Sequence, residues 1–123
     1  MSFEFSNDIP IYLQIIDNIK MRIISKKYMP SERLPSVREL SLEYEVNPNT
    51  IQKALFELEA CGLIYTERTN GKFVTQNIAI IEKIKNETIN KMVKDFFVSM
   101  EKIGMTKDDV MNVIEISEKK GIL

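Results

Sequence analysis

Histidine is absent from the 123 residues and cysteine occurs once, at Cys61. The first absence removes the commonest general base and the commonest metal ligand. No thiol pair, Ser-His arrangement or glycine-rich phosphate loop replaces it. Neither catalysis nor a metal or cofactor is therefore expected. One cysteine cannot form an internal disulfide, and Cys61, beside Gly62, reads as a small buried residue. No uncharged apolar run approaches the ~20 residues that a bilayer span needs, and no secretory signal opens the chain. A soluble cytoplasmic protein with no membrane partner is the expectation.

An excess of positive charge is missing too. Seventeen Lys and Arg face eighteen Asp and Glu, a net charge of −1, and residues 1–77 carry nine basic against ten acidic side chains. A nucleic-acid surface would have to be a local patch, drawn from Lys26, Lys27, Arg33, Arg38, Lys53, Arg68 and Lys72, with acids such as Glu57, Glu59 and Glu67 turned elsewhere. With 44% hydrophobic and 28% charged residues the composition is globular, and the length suits one domain or a small domain with an appendage.

What is present centres on residues 34–61, LPSVRELSLEYEVNPNTIQKALFELEAC. Ser36 followed by Glu39 is a capping box, so a helix starts near Val37, buries Val37, Leu40 and Tyr44, and fades by Glu45. Asn47 is a good N-cap and Pro48 suits the first helical position, so a second helix follows after about three residues. Ile51, Ala54, Leu55 and Leu58 form its buried stripe, and Gly62 is its stop. Asn49, Gln52, Lys53 and Phe56 fall on the opposite, outward face. Such a face suits a DNA major groove: Asn and Gln can pair with the adenine edge, and Lys can reach guanine or a phosphate. Phe56 is expected at the wing or exposed at the rim.

Ahead of this unit, an arm with Phe3 and Phe5 in alternation has no assigned role. Pro10 opens a helix running to about Lys26, whose Tyr12, Ile15, Ile16, Ile19 and Ile23 read as a core stripe. The connector Lys27 to Leu34, which contains Arg33, fits either phosphate contact or a solvated loop. After Gly62, Leu63-Ile64-Tyr65 and Phe73-Val74 are β-prone runs around Thr69-Asn70-Gly71, which predicts a hairpin. Three helices and a hairpin describe a winged helix-turn-helix, its tip flanked by Arg68 and Lys72, with Gly71 allowing close backbone approach.

The ordered succession LPSVREL, VNPNTIQKALFELEACGLI and NGKFV, over about residues 9–76, resembles the DNA-binding domain of GntR-type bacterial transcription regulators. The NPNT start and the short tail look most like the YtrA branch. The resemblance implies operator contact by Arg38, by Asn47, Asn49, Thr50 and Gln52 at the start of the recognition helix, and by the wing-tip Asn70 and Gly71 in a minor groove. Geometry adds Lys53 and Lys72, and Arg33 and Ser36 complete the expected DNA-binding set. Pro48 and Gln52 stand where the wider family often has arginine, so the family's common operator pattern does not transfer. YtrA-like proteins imply a repressor that excludes polymerase sterically.

Ile78 to Ile103 is one long helical pattern, nearly 40 Å at about 1.5 Å per residue. Gly104 ends it, and Thr106 with Asp109 starts another helix, in which Val110, Val113, Ile114 and Ser117 share a face before Gly121. The overall expectation is mainly α with a small β-hairpin: a winged helix-turn-helix DNA-binding domain at 1–77 and a two-helix dimerisation tail at 78–123. Ile89, Met92, Phe96, Phe97, Met100 and Ile103 are expected at a two-fold interface, presenting two recognition helices to a palindromic double-stranded operator. Two tail helices are too few to enclose an ordinary small-molecule pocket, and an unidentified small-molecule effector would bind between them or near Gln76 to Ile78. The competing reading is a winged-helix protein-interaction module without specific DNA binding, which the acidic balance favours.

Overall fold

Pro10 lacks an N–H and sits just ahead of the first helix, α1 (Ile11–Ile24), in the computed structural model, which describes residues 3–123. α2 (Val37–Tyr44) opens on the expected capping box: Ser36 N–H donates to Glu39 Oε1 at 3.0 Å, and Glu39 N–H donates to Ser36 Oγ at 3.1 Å. Glu45 closes it in the left-handed region at φ 57°. α3 (Pro48–Ala60) starts with Asn49 N–H donating to Asn47 Oδ1 at 2.8 Å, with Pro48 in the first turn. These local bonds satisfy N–H groups that a helix start leaves free.

Gly62, at φ +87°, turns the chain from α3 into the hairpin of β1 (Ile64–Glu67) and β2 (Gly71–Val74). The strands are antiparallel with Ile64 opposite Val74, Tyr65 opposite Phe73, Thr66 opposite Lys72 and Glu67 opposite Gly71. The connector is ordered rather than a solvated loop. Ser31 N–H donates to Val74 O at 3.0 Å, Val74 N–H to Glu32 O at 2.9 Å and Leu34 N–H to Lys72 O at 2.8 Å. Residues 31–34 thus line the outer edge of β2, which protects it from stray pairing.

One core joins these parts. Ile15, Ile19 and Ile23 of α1 meet Leu40 and Tyr44 of α2, Ile51, Ala54, Leu55 and Leu58 of α3, and Leu63, Ile64 and Val74 of the hairpin. Each aliphatic side chain buried this way contributes about 1.5–3 kcal/mol. The arm has a structural place: Phe3 and Phe5 pack partly buried against this core, with the Phe3 ring edge-on to Tyr44 at 5.5 Å. Tyr44 donates its hydroxyl to Asn18 Oδ1, and burial pushes its pKa up to about 12. Arg22 pairs with Glu43 beside it.

α4 (Ile78–Glu101) follows, and its first turns place Ile80, Ile81 and Ile84 on the same core. The chain forms two compact units, the first ending at Ile84 and the second spanning Lys85–Leu123. The second contains the rest of α4 and α5 (Lys107–Lys119), which opens on a Thr106 and Asp109 capping box. Val110 is buried there, whereas Ile89, Met92, Val93, Phe96 and Ile103 are exposed. A mainly helical winged helix-turn-helix with a two-stranded wing and a helical C-terminal region is therefore the fold. Among the described residues no helix is long and apolar enough to cross a membrane.

Candidate nucleic-acid interface

The outward face of α3 follows from its buried stripe. With Ile51, Ala54, Leu55 and Leu58 turned into the core, Asn49, Gln52 and Lys53 are exposed and Thr50 is half-buried. Asn47 spends its carboxamide oxygen on the cap. Lys53 is held rather than loose: its Nζ lies 3.9 Å from the centre of the Tyr12 ring, a cation–π contact. Tyr12, expected in the core, is half-buried and serves as that support. Tyr12, Asn49, Thr50, Lys53 and Ile11 line a shallow cleft of about 390 Å³ at the start of α3.

A larger open cleft of about 650 Å³ separates α3 from the wing. It is lined by Val37, Gln52, Phe56, Glu59, Ala60 and Lys72, so Gln52 and Lys72 of the expected set come together here. Phe56, 70% exposed, lies at the rim. Glu59 is not turned elsewhere. Its Oε1 accepts from Thr66 Oγ1 at 2.6 Å and from Lys72 Nζ at 3.1 Å. The Thr66 hydroxyl, against the opposing effect of burial and with help from Lys72, holds the Glu59 carboxyl below the usual range. The physical reason is register: with Thr66 and Lys72 directly opposite each other, both reach the same turn of α3.

At the wing tip Gly71 has φ +98°, and a Cβ placed on it would lie 3.2 Å from Arg33 Nε. The guanidinium of Arg33 therefore rests across the glycine backbone, carried there by the pairing of residues 31–34 with β2. Asn70 is exposed and its Nδ2 donates to Glu67 at 3.2 Å. Arg38 and Arg68 are exposed; Ser36 is committed to the capping box. Cys61 corrects the expectation of burial. It is exposed at the C-cap of α3, where the helix leaves the core, and its thiol donates to Leu58 O at 3.2 Å. Sequence reasoning missed Tyr12, Glu59 and Thr66, although a hairpin register would have paired Thr66 with Lys72. Among the described residues no cluster of His, Cys, Asp or Glu could hold a metal ion.

The family model for "Bacterial regulatory proteins, gntR family" matches residues 11–74, from α1 to the end of the wing. The chain belongs to the GntR family. Within it, the uncharacterized HTH-type transcriptional regulator YhcF of Bacillus subtilis is 35% identical over 121 residues, covering 98% of this chain and all of that protein. The HTH-type transcriptional repressor YtrA of the same organism is 44% identical over 68 residues, 55% of this chain and 52% of YtrA. Among solved structures, a GntR family transcriptional regulator from Listeria monocytogenes superimposes with a TM-score of 0.84 at 37% identity, covering 90% of this chain and 97% of that one. The AraR DNA-binding domain in complex with operator ORX1 gives a TM-score of 0.57 at 28% identity, over 61% of this chain and 95% of that one. Over 61% of its length this GntR-family chain is thus similar to a DNA-binding domain seen in complex with an operator.

Proposed function

We propose that this GntR-family DNA-binding regulator is a homodimeric repressor acting on a palindromic operator. The observation that carries the reading is the pairing of two adjacent surfaces: the exposed start of α3 with Asn49, Gln52 and Lys53, and a glycine wing tip backed by Arg33. The first suits base edges in a major groove, the second the narrow, negative minor groove beside it. Residues 1–77 bind the duplex. Arg33, Ser36, Arg38, Asn47, Thr50, Asn70 and Lys72 position the domain, and Asn49, Gln52 and Lys53 read bases.

Residues 78–123 dimerise. The exposed Ile89, Met92 and Phe96, with Phe97, Met100 and Ile103, supply an apolar stripe that a second copy covers, separating two recognition helices by about one turn of DNA, ~34 Å, or more. Two tethered helices gain affinity through effective concentration. Resemblance to YtrA, a transcriptional repressor, supports repression, for which steric exclusion of polymerase is the mechanism we propose. A small-molecule effector would act between the tail helices or near Gln76 to Ile78, by binding one state of the regulator more tightly than the other.

The test is binding to a labelled duplex from upstream of the protein's own gene, at two salt concentrations with random DNA as competitor, combined with sedimentation of the free protein. Salt-sensitive binding that survives the competitor, by a protein that sediments as a dimer at micromolar concentration, supports the reading. Failure to bind any duplex at low salt would contradict it and favour a protein-interaction module.

A further inference from the structure

Glu59 breaks the charge logic of the DNA-facing side. It lies on α3 two turns beyond Gln52 and meets Thr66 of β1 and Lys72 of β2 in a closed triangle: Thr66 Oγ1 to Glu59 Oε1 at 2.6 Å, Lys72 Nζ to Glu59 Oε1 at 3.1 Å, and Lys72 Nζ to Thr66 Oγ1 at 2.7 Å. The carboxylate side chain is 41% exposed and the lysine 29%, so the pair is reachable from solvent. Both line the 650 Å³ cleft between α3 and the wing.

That cleft has a definite place in any complex of the kind proposed above. With α3 in a major groove and the wing in the flanking minor groove, the backbone strand dividing the two grooves passes between them. A phosphate arriving there finds a lysine already neutralised by a carboxylate. We propose, resting on the DNA-binding reading, that Glu59 is a brake on affinity: it holds Lys72 in the free protein, and the duplex binds only as Lys72 exchanges Glu59 for a backbone phosphate. Glu59 then keeps its bond from Thr66 but faces the DNA with its charge uncompensated, well within the ~10 Å over which charges act at 0.1 M salt. Because phosphates carry no sequence information, the brake acts on every duplex alike. It sets how tightly the regulator holds DNA, not which DNA it holds.

The experiment measures binding of the full chain, E59Q, K72Q and the double variant to the upstream fragment and to a random-sequence duplex across a salt series, with thermal unfolding of each protein. E59Q is expected to bind both duplexes about tenfold more tightly, with unchanged discrimination between them and a wild-type salt slope. K72Q should weaken both and lower the slope by about 0.9 per chain, one phosphate contact. In the double variant the gain from E59Q should shrink, since there is no lysine to release. A K72Q slope equal to that of wild type would overturn the proposal, as would E59Q binding no tighter than wild type. E59Q binding more weakly with a lowered Tm would assign Glu59 to fastening the wing instead. Absence of duplex binding by the unaltered chain would remove the DNA-binding reading itself, a result distinct from all of these.

Discussion

Gly71→Ala probes the wing tip where backbone and side-chain geometry coincide. Gly71 has φ +98°, a region that an alanine enters at a cost of about 1–2 kcal/mol. Its new Cβ would stand 3.2 Å from Arg33 Nε and 3.4 Å from Arg33 Nη2. The end of an exposed arginine yields more easily than backbone, so the guanidinium, not the hairpin, should shift by a few tenths of an ångström. Thermal unfolding should then show a loss of about 4–8 °C for each kcal/mol of strain in a domain this size. Duplex affinity should fall about tenfold or more, because the closest approach of the wing and the cation beside it are disturbed together. Arg33→Ala separates the two effects: Tm should stay near wild type while the salt slope drops by about 0.9 per chain. A Gly71→Ala protein that loses Tm as expected yet binds DNA like wild type would refute the placement of the wing at the duplex. An unchanged Tm would refute the strain argument.

Three further outcomes follow from the core and the caps. Leu58, fully buried on the inner face of the recognition helix α3, should cost about 2–5 kcal/mol when truncated to alanine, read as a lower urea midpoint. In an ultraviolet titration Tyr44 should ionise at about 12, and Tyr44→Phe should remove that step; the variant also leaves Asn18 Oδ1 without its donor. Glu39, held below the usual carboxylate range by the Ser36 N–H, Asp109 by the Thr106 N–H and Glu59 by the Thr66 hydroxyl bind protons less readily folded than unfolded. The stability they confer is present above the ordinary carboxylate range and lost as pH falls through their lowered values, so Tm should decline below about pH 5 and decline less steeply in Glu39→Gln, which removes one of the three titrating carboxyls.

Helix starts were legible because their signals are local. Ser36 with Glu39, Asn47 with Pro48 and Thr106 with Asp109 each lie within four residues, and all three caps form. The buried stripe of α3 followed from spacing alone, and with it the outward placement of Asn49, Gln52 and Lys53. What escaped depends on distant partners. Residues 31–34 pair with β2 some forty positions later, a contact that no periodicity in so short a stretch can announce, and through it Arg33 reaches Gly71. The same holds for Tyr12 under Lys53 and for Glu59 between Thr66 and Lys72. Counting charges treated Lys72 as an available cation; the fold gives it a carboxylate. Cys61 was misread because a free thiol is a small apolar residue by habit, whereas its position at a helix end puts it in solvent.

The central claim, sequence-specific recognition through α3 and the wing by paired copies of the chain, is tested most directly by enrichment from a pool of random duplexes. Repeated selection by the purified protein should converge on a palindrome with half-sites about one helical turn or more apart, and Asn49→Ala or Gln52→Ala should relax selection at defined positions within each half-site. A pool that stays random after selection, or a motif left unchanged by both substitutions, would contradict the account.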